Sequence, residues 1–205
     1  MNRIEIINKI ISSRGFQNYL EIGVNRGFCF RQIVCKNKIG VDPFPIFSDQ
    51  VVSSTSDDFF SNYQGPLFDF VFVDGLHESH QAQKDIENSL KFTTHSGVIL
   101  VHDTLPKIES HQFRSLELKS HDSHIWTGDV WKAIFRLRSS RDDIRLFTLN
   151  CDWGCTIIQK KRGSKIEIPG DLDWKAFLTM NRSVLNVVDP SLFDIATSHN
   201  RITFL

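Results

Sequence analysis

The run Phe68-Asp69-Phe70-Val71-Phe72-Val73-Asp74-Gly75-Leu76-His77, with its companion Val98-Ile99-Leu100-Val101-His102-Asp103, decides the fold. Both are short, continuously apolar and rich in aromatic or β-branched residues, the pattern of strands buried on both faces. Between them Ala82, Ile86 and Leu90 recur every four residues, with Lys84, Asp85 and Glu87 on other faces, which is the stripe of a helix packed on a sheet. Strand, helix, strand in that order predicts a parallel β-α-β unit. In open α/β sheets ligands bind beyond the carboxyl ends of the strands, so Asp74, His77, His102 and Asp103 are expected to converge on one crevice. A single acid after a strand is as readily a helix cap or loop anchor. Two strands that both end in Asp and His favour a site.

On the N-terminal side, Tyr19-Leu20-Glu21-Ile22 predicts a strand. Gly23-Val24-Asn25-Arg26-Gly27 follows as a binding turn, with a helix expected from about Phe28 to Lys36. Before it, Ile4, Ile6, Ile7, Ile10 and Ile11 lie at helical spacing over residues 3–12, read as a packing helix. Lys38-Ile39-Gly40-Val41-Asp42 is a second strand that ends in an acid, and Pro43 and Pro45 delay any helix after it. A weak strand is expected over 51–54. Thr55 to Asp58 then caps a short helix through Phe59, Phe60 and Tyr63.

On the C-terminal side, residues 104–123 are polar and without clear periodicity. A connection of about 20 residues is long for a compact fold, so it is read as a lid or acceptor-side loop, a plain solvated excursion being the alternative. A helix follows over 130–138, with Thr127 or Asp129 as its N-cap. The apolar runs 144–149 and 156–159, joined by Asn150-Cys151-Asp152-Trp153-Gly154, demand an antiparallel hairpin because the link is so short. The tail from Asp171 holds one more helix, with Trp174, Phe177 and Leu178 on a face.

The expected fold is thus α/β, a Rossmann-like, doubly wound, mostly parallel sheet with an antiparallel C-terminal strand hairpin. One domain is expected over residues 1–165, with a helical extension over 166–205 packed on it. A chain of 205 residues with 40% hydrophobic content can bury one such core. Lys plus Arg equals Asp plus Glu at 24 each, so no general pull on nucleic acid or anionic membrane is expected. Cysteines 29, 35, 151 and 155 form no C-x-x-C pair and are read as reduced thiols. No apolar run approaches about 18 residues, and Glu5 and Lys9 interrupt the first apolar segment. The expectation is a cytoplasmic protein with neither membrane span nor secretory signal. Oligomeric state is not legible.

Glu21-x-Gly23-x-x-x-Gly27 with Asp42 downstream has the logic of an adenosine site. Glycine admits close approach of a ligand, and an acid at the tip of the next strand can accept hydrogen bonds from two ribose hydroxyls. Asn25 stands where a dinucleotide fingerprint needs its second glycine, so a cofactor without a pyrophosphate fits better.

These pieces, in this order, resemble a class I S-adenosylmethionine-dependent methyltransferase. Residues 19–27 resemble its first motif, and Gly40-Val41-Asp42-Pro43 its ribose-binding acid. Residues 70–77 and Val101-His102-Asp103 resemble the strand ends of a subgroup that includes small-molecule and sugar O-methyltransferases. The resemblance covers about residues 15–160. It implies Glu21, Gly23 and Gly27 around the methionine part of S-adenosyl-L-methionine, Asp42 on the ribose, Ser56 and Asp57 near the adenine, and Asp74 beside the cofactor. In metal-dependent relatives such as the mycinamicin sugar O-methyltransferases, an Asp on strand four and an acidic pair on strand five hold a divalent ion. A His three residues after the first Asp serves there as base. Asp74, His77 and Asp103 match that pattern, whereas His102 puts an imidazole where those relatives have a carboxylate. The resemblance therefore implies catalytic His77 and Asp74 and a metal set of Asp74, His102 and Asp103, with zinc, iron or manganese suited better than magnesium.

The implied function is methyl transfer to a hydroxyl of a small molecule or sugar. Two rivals stand beside it: a metal-dependent hydrolase built on the Asp/His cluster, and a scaffold that binds the cofactor without turning it over.

Overall fold

The computed structural model describes residues 1–47, 49–113, 126–168 and 170–193. Eight strands form one sheet in the order β3-β2-β1-β4-β5-β7-β6-β8 among the described residues. They are β1 (Asn18–Ile22), β2 (Asn37–Asp42), β3 (Val51–Ser53), β4 (Phe68–Val73), β5 (Thr93–Val101), β6 (Arg145–Leu149), β7 (Cys155–Gln159) and β8 (Val187–Val188). The first five run parallel. β7 is antiparallel to both β5 and β6, with Leu100 opposite Ile157 and Phe147 opposite Ile157. The sheet is doubly wound, mostly parallel and closed by an antiparallel pair. Its strand order reverses between β1 and β4, where Ile22 pairs with Val73.

Both faces are covered, which is why β4 and β5 carry no polar alternation. Val71, Val73, Ile99 and Val101 face α2 (Ser56–Asn62), α3 (Ser79–Phe92) and α4 (Trp131–Ser140), and α5 (Trp174–Val184) packs behind α4 through Phe177. Phe70, Phe72, Val98 and Leu100 face α1 (Arg3–Arg14) through Ile6, Ile7, Ile10 and Ile11. α1 is closed at its start by reciprocal bonds between Asn2 and Glu5 and at its end by Gly15 in the left-handed region. No helix among the described residues is long and apolar enough to cross a membrane.

Four local expectations need correction. Residues 28–36 form only a 3-10 turn at Phe30–Gln32. Side chains satisfy the backbone there: Lys38 Nζ donates to the Phe30 and Ile33 carbonyls, and Asn8 bonds the Gln32 carbonyl and the Val34 N–H. A continuous helix would lose those partners without need. Second, α4 begins at an N-cap, Val130, that makes no side-chain capping bond. Asp129 instead accepts from the Ser79 N–H at 2.6 Å and the Ser79 hydroxyl at 3.1 Å, so it caps α3 from outside. Thr127 donates to the His111 carbonyl. Third, Leu178 is 60% exposed and does not share the buried face of Phe177. Fourth, β8 adds an unexpected parallel strand beside β6, where it pairs Leu149 with Val188. Of the connection read as a lid, residues 114–125 lie outside the described residues.

Candidate active site

A cleft of about 1110 Å³ opens at the carboxyl ends of β1, β2, β4 and β5. Its walls include Glu21, Gly23, Asp42, Ser56, Asp57, Asp74, His77, His102 and Asp103. Gly27 stands apart. A Cβ there would lie 2.8 Å from the ring of Phe47, so this glycine makes room for the neighbouring loop rather than for the cleft.

At the β1 end, Glu21 is buried and accepts from the Tyr19 hydroxyl at 2.5 Å. Burial pushes its carboxyl up to about 7, against the opposing pull of that hydrogen bond. Beyond it Gly23 has φ +88° and Asn25 φ +48°, and the Asn25 N–H donates to Asp42 Oδ2 at 2.8 Å. The Phe44 N–H donates to Asp42 Oδ1, also at 2.8 Å. Each oxygen of Asp42 thus accepts one main-chain bond and keeps capacity for another, and the residue lines the cleft.

At the α2 rim, Ser56 donates to Asp85 Oδ1 at 2.6 Å, and Gln81 Nε2 reaches Ser56, Asp57 and Asp85. Burial raises Asp85 to about 6, the Ser56 and Gln81 bonds opposing it. Asp85 and Gln81 were not foreseen. They sit one helical turn apart on α3, where the sequence reading placed Asp85 only on a face other than the packing stripe.

The other end of the cleft gathers charge. β4 delivers Asp74 and His77, and β5 delivers His102 and Asp103, the latter at φ +60°. His77 Nε2 lies 3.5 Å from Asp74 Oδ1 and 3.3 Å from Asp103 Oδ2. His102 Nδ1 lies 3.0 Å from Asp103 Oδ2 and 3.3 Å from Asp74 Oδ1, while its Nε2 faces Asp152 Oδ1 at 3.6 Å. Trp126 covers His77 with ring centroids 4.6 Å apart.

Three more residues escaped the sequence reading. Asp152 and Trp153 come from the β6–β7 turn, where φ is +45° and +64°. A bulky aromatic in the left-handed region is strained, and the turn is held by Leu105 N–H to the Trp153 carbonyl at 2.8 Å. Arg3 comes from the first turn of α1, a place where the helix dipole disfavours a cation. Its Nη1 donates to Asp74 Oδ2 at 2.8 Å, its Nε lies 3.2 Å from Asp152 Oδ2, and its backbone N–H donates to that same oxygen at 2.8 Å. A cation at a helix start was the available signal.

The electrostatics follow from three carboxylates gathered around two histidines in one largely buried corner. For His102, burial favours the neutral ring, but Asp74, Asp103 and Asp152 outweigh it and raise the imidazole well above its ordinary value. For His77 burial is likewise outweighed, by Asp74 and Asp103, and its basicity also rises. Burial would raise Asp74; the two histidines hold it well below the usual carboxylate range. Asp152 falls to about 2, with His102 and Arg3 overcoming its burial. Arg3 Nη1 also approaches His102 Nδ1, at 3.1 Å. With His102 protonated that contact is repulsive, and the carboxylates hold the two cations together.

The ligand atoms of Asp74, His102 and Asp103 lie within 4.8 Å of one another, close enough to be bridged by one ion. Two of these three residues already face the Arg3 guanidinium, whose Nη1 donates to Asp74 Oδ2 and stands against His102 Nδ1.

Residues 20–104 match the family model of a methyltransferase domain. No curated protein matches the chain. Among solved structures, the O-methyltransferase from Bacillus cereus in complex with SAH is 14% identical, covers 77% of this chain and 80% of that one, and superposes with a TM-score of 0.57. The O-methyltransferase TomG from Streptomyces achromogenes, involved in tomaymycin synthesis and solved with SAM, is 14% identical, with 78% and 79% coverage and a TM-score of 0.56. The SAH-bound methyltransferase PaMTH1 of Podospora anserina is 15% identical, covers 78% of each chain and gives a TM-score of 0.57. Fold and cleft together define an open α/β architecture with its crevice at the carboxyl ends of the parallel strands. More narrowly, the chain has the class I S-adenosylmethionine-dependent methyltransferase fold.

Proposed function

We propose that this protein is an S-adenosylmethionine-dependent O-methyltransferase acting on a hydroxyl of a small molecule, a sugar being one such acceptor. One observation carries the reading: a single cleft has Glu21 and a half-used Asp42 carboxylate at one end and His77 between Asp74 and Asp103 at the other. The residues fit the cofactor. Asp42 has lone pairs for two ribose hydroxyls, Glu21 is a buried carboxyl suited to the methionine ammonium, and Ser56, Asp57, Gln81 and Asp85 form a polar rim for the adenine.

S-adenosylmethionine, when bound, supplies an electrophilic methyl whose bond to sulfur breaks as its bond to the acceptor oxygen forms, leaving S-adenosylhomocysteine. The chain's task is to align the acceptor and remove its proton. His77 is the residue for that proton. Its contacts to Asp74 and Asp103 are longer than tight hydrogen bonds, so Nε2 can turn to an incoming hydroxyl while both carboxylates stabilise the imidazolium formed. Trp126 and Trp153 line the same end and supply flat apolar walls. The hydrolase alternative needs an open metal position, and against it stands the Arg3 guanidinium, already bonded to Asp74.

The test is incubation with methyl-labelled S-adenosylmethionine and a panel of hydroxylated metabolites, with mass spectrometry of the products. A product heavier by one methyl supports the proposal. Binding of NAD in preference to both S-adenosylmethionine and S-adenosylhomocysteine would sink it.

A further inference from the structure

We infer that Arg3 is the resident cation of this cleft, a positioning residue standing where a divalent ion would otherwise bridge Asp74, His102 and Asp103, so that the site works without a metal. The inference rests on the proposed methyltransferase reading for its purpose but not for its geometry.

One nitrogen of the guanidinium, Nη1, is 2.8 Å from Asp74 Oδ2 and 3.1 Å from His102 Nδ1. Those two residues are two of the three candidate ligands. A first-row ion on these residues would sit about 2.0–2.2 Å from its nitrogen and oxygen donors, so it would share Asp74 and His102 with the guanidinium at close range, and like charges at that range repel.

Arg3 is not free to swing aside. Its Nε is 3.2 Å from Asp152 Oδ2 and its own backbone N–H donates to that oxygen at 2.8 Å, so the residue is held at the root and along the stem. The root belongs to α1, which is capped by the Asn2–Glu5 pair and anchored by four buried isoleucines, Ile6, Ile7, Ile10 and Ile11. Asp152 in turn sits on a turn with consecutive positive φ angles at Asp152, Trp153 and Gly154, pinned by Leu105. Two elements distant in sequence, the start of α1 and the β6–β7 turn, are thus built around one guanidinium. A cation placed at a helix start against the dipole needs such compensation.

A guanidinium differs from an ion in what it offers. It presents N–H donors in a fixed fork and never loses its charge, but it has no vacant position for an acceptor oxygen. Arg3 therefore orders Asp74 and Asp152 and adds positive potential, while the proton stays with His77.

The measurement is Mn²⁺ uptake by the 205-residue chain, read from the electron paramagnetic resonance signal of free Mn²⁺ and needing no methyl transfer. The wild type is expected to leave the signal unchanged. Arg3→Met should gain one Mn²⁺ site with affinity raised by about tenfold or more, Arg3→Met with Asp103→Asn should lose it again, and Arg3→Lys should stay closed. Stoichiometric uptake by the wild type that Asp74→Asn removes would overturn the inference, as would a folded Arg3→Met chain that takes up nothing. If Arg3→Met does not fold, Arg3→Gln serves, and wild-type uptake decides by itself. The methylated product tests the proposed function separately, so either idea can fail while the other stands.

Discussion

Gly23 packs against the main chain of Asp74: a Cβ at Gly23 would lie 2.1 Å from the Asp74 carbonyl oxygen and 2.5 Å from its carbonyl carbon. The ends of β1 and β4 meet at this point, and they are the two strands between which the sheet order reverses. With φ at +88° as well, any side chain is excluded twice over, by strain and by space. Gly23→Ala is expected to cost about 2 kcal/mol of stability or more and to lower cofactor affinity by displacing Asp74. Gly27→Ala should cost less, because its obstacle is the Phe47 side chain, which can turn. Thermal melts of the two variants check the order, and equal losses would contradict it.

Asp42→Ala should weaken cofactor binding by roughly ten- to a hundred-fold, the loss of a charge-assisted interaction of about 1.5–3 kcal/mol. It should also lower stability, since the Asn25 and Phe44 N–H groups both depend on this carboxylate. Sequence alone suggests an effect on binding only. Asp42→Asn retains one acceptor oxygen and should keep more stability than Asp42→Ala. Calorimetric titration and melting curves of the pair separate the two roles.

The parts of this protein that were legible in sequence are those where one local signal has one structural answer. β4 and β5 announce themselves as unbroken apolar runs and the helix between them by its period, and the 150–154 link admits nothing but a hairpin. What was hidden depends on contacts between distant segments. The 28–36 stretch has helical spacing, yet Lys38 and Asn8 bond its backbone and no rule of local propensity sees them. Asp129 resembles a cap for the helix that follows it and caps the one before. Arg3 lies in what reads as a packing helix and Asp152 in a hairpin link; their meaning exists only once α1 and the β6–β7 turn are folded against Asp74.

Glu21 makes stability fall as pH rises. Its folded carboxyl titrates at about 7 against 4.5 as the ordinary value, so between those pH values the folded chain holds a proton that the unfolded chain has lost. The folded state binds more protons, and stability is lost across that window, by on the order of 3 kcal/mol. Glu21→Gln should flatten this contribution and raise the melting temperature at pH 8. It should also weaken S-adenosylmethionine binding, because the carboxylate that would face the methionine ammonium is gone. Melts of both proteins from pH 5 to 8 provide the check; parallel curves would show that Glu21 is not the titrating group.

His77 should impose an acid limb on the pH–rate profile, placed higher than an unperturbed histidine would put it. Burial favours the neutral ring, but Asp74 and Asp103 favour the imidazolium more, and the nearby His102 opposes them only in part. The base form therefore becomes available only as pH rises past the ordinary value of 6.5, and turnover should climb through that range. Asp103→Asn removes one of the two carboxylates facing Nε2, so the pKa of His77 should drop and the limb should move to lower pH. His77→Ala should lower turnover by about 10² to 10⁴-fold at every pH and leave cofactor affinity intact, which distinguishes loss of the base from collapse of the cleft. Kinetics of the three proteins between pH 5 and 9 decide it. A limb that stays in place in Asp103→Asn, or turnover that survives His77→Ala, would take the proton away from His77 and leave its two carboxylates as supports for Arg3 and His102 alone.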